Sequence, residues 1–470
     1  MANVSFLRRI RSGCFSVDFW LCTTLMFLVE FGCAVLGAPS PRLLEMVVCE
    51  DYYRNNGHAP AQGDCKNSEV QVQFGFVLTV LSTFSVLAAT LMQIPMGLLA
   101  DKKGRKTALI LNIISIILYW GWIPLVAIFT NLPIWTLYIA PVFIFIGGGP
   151  WASGALIFST INRRITPSQR TPAFSIMEAT SGIADLVGPV LGTLTMEDNI
   201  WLPFLLATLS FTLMFLPTLL FDDEAMLSST ELNYIQSEVD TSEHVNSEEQ
   251  PLLRGISSST DASSSERPTF VYSTAAIYGI TFGSFFLVSL ARDSNNFLIP
   301  WISWRFDEPM SRAGLIFSLR AIVSSILFFI LLPLASSFGS KYLRAKQFTR
   351  DLLISSGSAT FLCIGSIMIA VSPSPSTLVA GFSIMTLGSG VTISLRAFLA
   401  SKIDRSFSGR LFAAISATST IGNLVGMPVM GTLYSLSISK EDGIISLPFA
   451  MSAGAYFLVL CVISSLQFAI

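Results

Sequence analysis

The sequence predicts an all-α membrane protein in which twelve transmembrane helices form two six-helix bundles with both termini in the cytoplasm. Three observations predict this fold class. The 470 residues are 52% hydrophobic and only 12% charged, whereas roughly 25% of the residues of a soluble protein are charged. Apolar stretches long enough to cross a bilayer recur along the chain. The second half of the chain also repeats sequence from the first half.

Twelve apolar stretches have the length of a transmembrane helix, and we number them span 1 to span 12 in chain order. They cover residues 17–38, 73–98, 107–129, 133–160, 172–195, 200–221, 271–291, 312–335, 351–371, 376–400, 411–436 and 445–469. The stretch between spans 6 and 7 is acidic and Ser-rich, a composition typical of disordered linkers. We therefore expect an N-terminal bundle at residues 1–221, a cytoplasmic linker at 222–270 and a C-terminal bundle at 271–470.

The distribution of lysine and arginine orients the chain. Short loops on the side of the N-terminus carry 17 of these residues, and those on the opposite side carry seven. The seven are Arg42, Arg54, Lys66, Arg292, Arg305, Arg312 and Lys440. Because cytoplasmic loops are enriched in Lys and Arg, both termini are expected in the cytoplasm. The basic and then apolar N-terminus also resembles a signal peptide, but no small-residue cleavage site follows it, so span 1 is expected to be retained.

A shift of 238 residues aligns span 5 with span 11. EATSGIADLVG at 178–188 falls on SATSTIGNLVG at 416–426, with seven of eleven positions identical. After one inserted residue, Met427, the next six residues match at five positions. The same shift places Pro95 of span 2 on Pro333 of span 8. Parallel repeats are typical of transporters whose halves rock about a central site. Convergent Gly/Pro packing is the alternative, but it does not easily explain one shift serving both regions.

The turn between spans 2 and 3 reads GLLADKKGRKT. Gly97 is expected to let span 2 pack closely on a neighbour, Gly104 allows a tight turn, and Asp101 can accept a charge-assisted bond from Arg105. This motif resembles the loop signature of the major facilitator superfamily. The resemblance implies two six-helix bundles, alternating access and a cytoplasmic latch formed by Asp101 and Arg105. The shift places Gly339 where Asp101 stands, so a latch in the second half is expected to be weak or absent.

Further parts of the sequence resemble fungal facilitators of unassigned substrate and, more distantly, the proton-coupled folate transporter family. The resemblance lies in residues 43–53, residues 313–333 and Glu178. In the folate family a helix 5 acid is associated with proton coupling, and a helix 10 arginine with substrate or proton binding. The resemblance gives these roles to Glu178 and Arg396, without making folate the expected substrate.

Five ionisable residues fall inside the spans away from the terminal residues, where a charge costs on the order of several kcal/mol and so needs a reason. They are Glu30 in span 1, Glu178 and Asp185 in span 5, Arg320 in span 8 and Arg396 in span 10. A carboxyl group in a dry site can be neutral near physiological pH, so it can take a proton on one side and release it on the other. We interpret the three acids as candidates for proton coupling, with Glu178 and Glu30 favoured. The two arginines are candidates for substrate contact or ion pairing.

The repeat separates these charges from the scaffold. Glu178 aligns with Ser416, and Asp185 aligns with Asn423, an uncharged isostere that is a further candidate for substrate contact or ion pairing. Glu178 and Asp185 are seven residues apart and therefore share a helix face, roughly 10 Å apart along the axis. A structural salt bridge between the halves, such as an acid with Arg320, is the alternative for each charged residue, and it is favoured for Asp185.

Spans 5 and 11 also share glycines and prolines. Their stretches GPVLG and GMPVMG partly resemble the G-P-x-x-G motif of drug:proton antiporters in the superfamily, although both lack its doubled glycine. Small residues and proline make close, pliant helix contacts, so hinge or packing roles are expected. These residues are Gly188, Pro189, Gly192, Gly426, Pro428 and Gly431.

Two loops suggest further roles. The outer loop 39–70 contains Cys49 and Cys65, which an oxidising exterior would allow to form a disulfide. Two free thiols are the alternative. The linker contains EEQPLL, which resembles the dileucine motif that adaptor complexes read for sorting, with a chance match as the alternative. The residues of this motif are Glu248, Leu252 and Leu253.

These features predict a secondary active transporter that moves a small organic molecule by alternating access. Proton-coupled export of a drug-like compound or secondary metabolite is favoured; the alternative is nutrient or vitamin uptake or vacuolar release. Both histidines lie in loops, and the sequence has no Ser/His/Asp set and no P-loop, so neither an enzyme nor ATP as energy source is expected. A non-transporting receptor would not need two six-helix repeats with intramembrane acids.

The expected partners are the substrate, protons, the lipid bilayer and sorting adaptors at the linker. We expect a monomer in the plasma membrane or the vacuolar membrane, with no cofactor and no metal site. The net charge of −2 comes without a basic patch, so nucleic-acid binding is not expected.

Overall fold

The computed structural model describes residues 17–57, 64–129, 132–162, 170–221, 274–327, 347–400, 408–439 and 445–469. All regular secondary structure in these ranges is helical, which confirms the predicted all-α fold class. The linker at 222–270 and its sorting residues Glu248, Leu252 and Leu253 lie outside the described residues.

Helices occupy the predicted spans of the first half. Their bounds are Val17–Val35 in span 1, Ser68–Lys103 in span 2, Arg105–Ile128 in span 3, Arg170–Asp198 in span 5, and Trp201–Leu213 with Phe215–Leu220 in span 6. Span 4 is less regular, because a 3-10 helix at Ile134–Phe143 leads into α-helices at Ile144–Gly147 and Gly149–Asn162.

The second half follows the same pattern. Its helices are Thr274–Arg292 in span 7, Met310–Ile326 in span 8, Gln347–Ala370 in span 9, Pro375–Leu387 and Val391–Ala400 in span 10, Ser408–Ser439 in span 11 and Leu447–Ala469 in span 12. In the part of the chain that the structure describes, nine helices are long and apolar enough to cross a membrane. Spans 5, 7 and 8 are helical but are not among those nine, so the count of twelve crossings and the cytoplasmic termini stay predictions.

The outer segment between spans 1 and 2 contains a helix. One long loop was expected at 39–70, but a helix spans Pro39–Asn55. Pro39 lies in the first helical turn, where its missing N–H costs no hydrogen bond. Leu43 and Val48 are 2% and 0% exposed. Burial of this apolar face stabilises a helix that composition alone does not reveal, because charged residues interrupt the segment.

Span 7 does not end where the apolar stretch ends. Its helix, Thr274–Arg292, continues through a 3-10 turn at Asp293–Phe297 into a second helix at Leu298–Arg305. Trp301 in the continuation is 1% exposed, so this part of the chain is packed inside the protein. The assignment of Arg292 to an outer loop is therefore wrong. The polar run after Arg292 is a break within the span.

Two hydrophobic cores form, one in each half of the chain. The first extends from Phe19 to Phe221, and the second from Phe285 to Ile463 with Ala38 added from the first half. The predicted domain boundaries stay predictions, because residues 222–273 are not described.

Glycines of spans 5 and 11 form corresponding packing seams. A Cβ at Gly188 would lie 2.5 Å from a side chain of span 1, and one at Gly192 would collide with the Val35 carbonyl of the same span. A Cβ at Gly426 would lie 2.8 Å from the carbonyl oxygen of Leu290 in span 7. Because the repeat aligns Gly188 with Gly426, each half packs its fifth helix on its first helix through equivalent glycines.

Candidate functional site

The three predicted acids lie together in the first half. We call the end of the molecule that carries Cys49 and Cys65 the outer end, and the end with the turn between spans 2 and 3 the inner end. Glu30 on span 1 is half-buried, whereas Glu178 and Asp185 on span 5 are exposed. Glu30 is close enough to both span 5 acids to interact with them electrostatically.

Arg320 on span 8 brings the second half to this group of acids. Its side chain is exposed although it lies near the middle of the span, and it interacts electrostatically with Asp185. Asp185 and Arg320 are not in direct ion-pair contact in the described part of the chain. An acid of one half thus lies near an arginine of the other half, which is the arrangement expected at the interface of two rocking bundles.

The other two candidates for substrate contact are Arg396 on span 10 and Asn423 on span 11. Arg396 is exposed near the inner end of span 10 and interacts electrostatically with Arg292. Asn423 is half-buried on span 11, one turn before Gly426. The structure therefore links Arg396 to the central charges through Arg292, and it places Asn423 beside the glycine seam of the second half.

Sequence reasoning missed Arg292, Asp293 and Tyr456. Arg292 interacts electrostatically with Arg320. Tyr456 interacts electrostatically with Arg292, Asp293 and Arg320. Asp293 is 8% exposed, and its Oδ2 has no hydrogen-bond partner among the described residues. The polar run at 292–296 was interpreted as the start of a loop. The apolar residues that follow it, through Trp301, are the feature that could have placed it inside the protein.

Close contacts between the halves lie at the outer end. A Cβ at Gly431 in span 11 would lie 2.6 Å from Cγ2 of Thr79 in span 2, and one at Gly314 in span 8 would lie 2.6 Å from the Cβ of Ala38. Glycine lets helix backbones approach this closely, so these contacts hold the two halves together towards the outer end. Pro189 and Pro428 lie inside their helices.

A buried polar network joins the halves at the outer end. Glu45 is 0% exposed and accepts hydrogen bonds from Arg42, Lys66 and Gln71 at 2.5, 2.8 and 2.6 Å. Lys66 also donates to Oγ of Ser303, in the second half, at 2.6 Å. A buried carboxylate is compensated when several donors surround it, so the network stabilises the contact between the halves at the outer end. Glu45 was not a sequence-based candidate, because it lies in a stretch that was expected to be a loop.

A disulfide joins Cys49 and Cys65 beside this network. The carbonyl of Cys65 accepts a hydrogen bond from Gln71 at 2.8 Å, and the next residue is Lys66. The cross-link therefore ties the outer helix to the segment that supplies two of the three donors to Glu45.

Tyr52 links the outer helix to the start of span 2. Its hydroxyl donates a hydrogen bond to Glu69. This bond raises the pKa of Tyr52, because losing the proton would remove the donor and place a second negative charge beside the carboxylate.

The turn between spans 2 and 3 places Asp101 beside Arg105. Asp101 Oδ1 and Arg105 Nη2 are 3.8 Å apart, and Arg105 donates to Ser159 Oγ at 3.2 Å. Gly104 has a φ of 95°, a conformation that favours glycine. The close packing expected at Gly97 is not found in the described part of the chain, since a Cβ there would meet no atom within 4 Å. The Asp101–Arg105 contact is long, and Asp101 is half exposed, so this contact alone stabilises the conformation weakly.

Comparison with known proteins supports the same fold and adds a family. Residues 67–343, more than half of the chain, match the family described as Major Facilitator Superfamily. The MFS efflux pump atnC of Emericella nidulans is 26% identical over 444 residues, which cover 92% of this chain and 84% of that protein. The tetracycline resistance protein, class H, of Pasteurella multocida is 22% identical over 379 residues, which cover 80% of this chain and 83% of that protein.

A solved structure has the same architecture. The crystal structure of a D-xylose-proton symporter matches with a TM-score of 0.64 at 10% identity, covering 96% of this chain and 97% of that one. At this identity the likeness shows the fold alone, and it confirms the predicted major facilitator fold. With the family match across both halves, the chain is a member of the major facilitator superfamily, a multi-pass membrane transporter and not an enzyme.

Proposed function

We propose that this transporter couples proton movement to the export of a small organic molecule, of the drug-like or secondary-metabolite class. The observation that carries the proposal is the electrostatic interaction between Asp185 of the first half and Arg320 of the second, two exposed residues that are not in ion-pair contact. The names of the relatives support the efflux direction, since they include a fungal efflux pump and a tetracycline resistance protein.

The acids can couple protons because their surroundings disfavour several negative charges at once. Glu30 interacts with Glu178 and Asp185, so ionising all three acids would place like charges close together in a low-dielectric region. Protonating one acid relieves that repulsion. A cationic or donor group on a substrate would relieve it equally well, so proton and substrate would compete for the same carboxylates, as exchange requires.

Arg320 makes this competition depend on conformation. When the halves bring Arg320 towards Asp185, the arginine favours the ionised acid and the proton leaves. When the halves separate, Arg320 no longer favours the ionised form of Asp185, so Asp185 binds a proton more tightly. The proton affinity of the site would then change between the two conformations, which is the linkage that alternating access needs.

The test uses the purified protein in proteoliposomes with an imposed pH gradient and a panel of compounds that includes tetracycline. We expect the gradient to drive movement of at least one compound. Glu178→Gln should lower that gradient-driven movement about ten-fold or more, the loss expected when one ionisable partner worth ~1.4 kcal/mol is removed.

The matched control is Glu197→Gln, which changes an exposed glutamate at the outer end of the same helix. It should transport like the unmodified protein. A gradient that moves no compound, or a Glu178→Gln protein indistinguishable from Glu197→Gln, would overturn the proposal.

A further inference from the structure

Three arginines of the second half lie near one another. Arg292 in span 7, Arg320 in span 8 and Arg396 in span 10 are all exposed. Arg292 interacts electrostatically with each of the other two. Within the described ranges, none of the three forms an ion pair. Three neighbouring guanidinium groups therefore stand without a direct counter-ion.

This arrangement is costly unless an anion joins it. Arginine stays protonated in proteins, so the three positive charges cannot be relieved by losing protons. Asp293, the acid next to Arg292 in the chain, does not neutralise them by contact, because it is 8% exposed and its Oδ2 lies against Gly426 of span 11. Asp185 interacts electrostatically with Arg320, and Asp293 with Arg292, but neither acid is in ion-pair contact in the described part of the chain. An anionic group in contact with the arginines would supply the direct counter-ion.

The opposite wall has the opposite sign. Glu30, Glu178 and Asp185 all belong to the first half, and the two span 5 acids are exposed. Asp185 and Arg320 are where the two walls meet. Glu178 lies about 10 Å from Asp185 along the helix axis, towards the inner end. The first half therefore supplies an acidic wall and the second half a basic wall.

We infer that the substrate is a zwitterion whose anionic group contacts Arg292, Arg320 and Arg396 and whose cationic group contacts Glu30, Glu178 and Asp185. This inference rests on the proposed function and names the substrate class. Arg292 enters as a further specificity-determining residue.

The experiment measures binding to the purified full-length protein at neutral pH without any gradient. The probe is the tripeptide Phe-Ala-Phe in four forms: unmodified, C-terminally amidated, N-acetylated, and blocked at both ends. We expect the zwitterion to bind at least ten-fold more tightly than the doubly blocked form, with the singly blocked forms between them.

Variants assign the two ends of the probe. Arg292→Gln should remove about ten-fold of the advantage of forms with a free carboxylate, and Arg292→Lys should restore part of it. Arg292→Gln should leave the advantage of a free amine unchanged, which a merely structural change would not do. The control Arg312→Gln alters an arginine that is ion-paired to Glu308 on the outer surface and should change nothing.

Equal binding of all four forms, no binding of any form, or an Arg292→Gln protein that loses both preferences would overturn the inference. Because no proton gradient is used, failure here leaves proton-coupled export standing. Conversely, charge-selective binding without gradient-driven movement would remove proton coupling and keep the zwitterion site.

Discussion

The pair formed by spans 1 and 5 and the pair formed by spans 7 and 11 have the same packing and different charges. In each pair, glycines of the fifth helix of the half lie against the backbone of its first helix, at Gly188 in one half and Gly426 in the other. The first pair carries the interacting acids Glu30, Glu178 and Asp185. The second pair carries Arg292 and the buried Asp293, with Ser416 and Asn423 at the positions of the span 5 acids.

This difference separates the packing positions of the repeat from its charged positions. The glycines cannot vary freely, because a side chain there would meet backbone atoms of the neighbouring helix. Glu178, Asp185 and Arg292 are exposed, so a substitution at these positions costs little packing. Equivalent helix pairs can therefore carry different charges on the same scaffold.

The largest effect is expected at the glycine seams. Gly192→Ala and Gly426→Ala should each lower the free energy of unfolding by about 1–3 kcal/mol, because the new methyl group would overpack a helix contact. Thermal unfolding in detergent would measure this. Gly182→Ala is the control, since a Cβ there would meet no atom within 4 Å. It should be neutral or stabilising by up to ~1 kcal/mol. Loss of stability in one seam only would show that the two pairs are not equivalent scaffolds.

The next effect tests whether the charges are interchangeable between halves. Asp185→Asn should lower gradient-driven transport about ten-fold, which corresponds to ~1.4 kcal/mol, because Arg320 loses its acidic neighbour in the first half. Adding Asn423→Asp moves the carboxylate to the equivalent position of span 11. This double variant should not regain proton dependence in the proteoliposome assay, because the acid would then lie in the half that carries the arginines. Recovery would mean that the halves are functionally symmetric.

The smallest effect is expected at the turn between spans 2 and 3, where the halves also differ. Asp101→Asn removes a half-exposed carboxylate 3.8 Å from Arg105. Such pairs contribute about 0.2–1 kcal/mol, so transport should change by less than about five-fold. Initial transport rates would measure this change. Lys102→Gln, which alters the residue next to Asp101, is the control. A loss far beyond five-fold would indicate that Asp101 makes a stronger contact in another conformation.

Much of the fold follows from sequence because lipid imposes a strong constraint on it. A chain that crosses a bilayer must satisfy its backbone hydrogen bonds within helices, so each long apolar stretch predicts a helix. Glu178, Asp185 and Arg320 could be selected for the same reason, since an ionisable residue inside an apolar stretch is conspicuous. The repeat then separated the glycines of span 5 from its acids.

The residues that were missed have a common cause. Arg292 and Asp293 lie in a polar run that hydropathy reads as the end of a helix, although it is a break in a helix that continues to Arg305. Irregular polar backbone inside a membrane protein is tolerated where it lines a cavity, and composition cannot distinguish that case from a loop. Glu45 was missed similarly, because its burial depends on donors at Lys66 and Gln71 that are distant in sequence.

The separation of acidic and basic walls has an electrical consequence. The acids belong to one half and the arginines to the other, so rocking the halves against each other would displace charge even when the cavity is empty. Moving one elementary charge across a potential of 100 mV corresponds to ~2.3 kcal/mol, so a partial displacement would be enough to make the conformational equilibrium voltage-sensitive. Voltage steps applied without substrate should therefore evoke a transient current, and Arg292→Gln should reduce it. If no such current is measured, the acidic and basic walls move without displacing charge across the membrane potential.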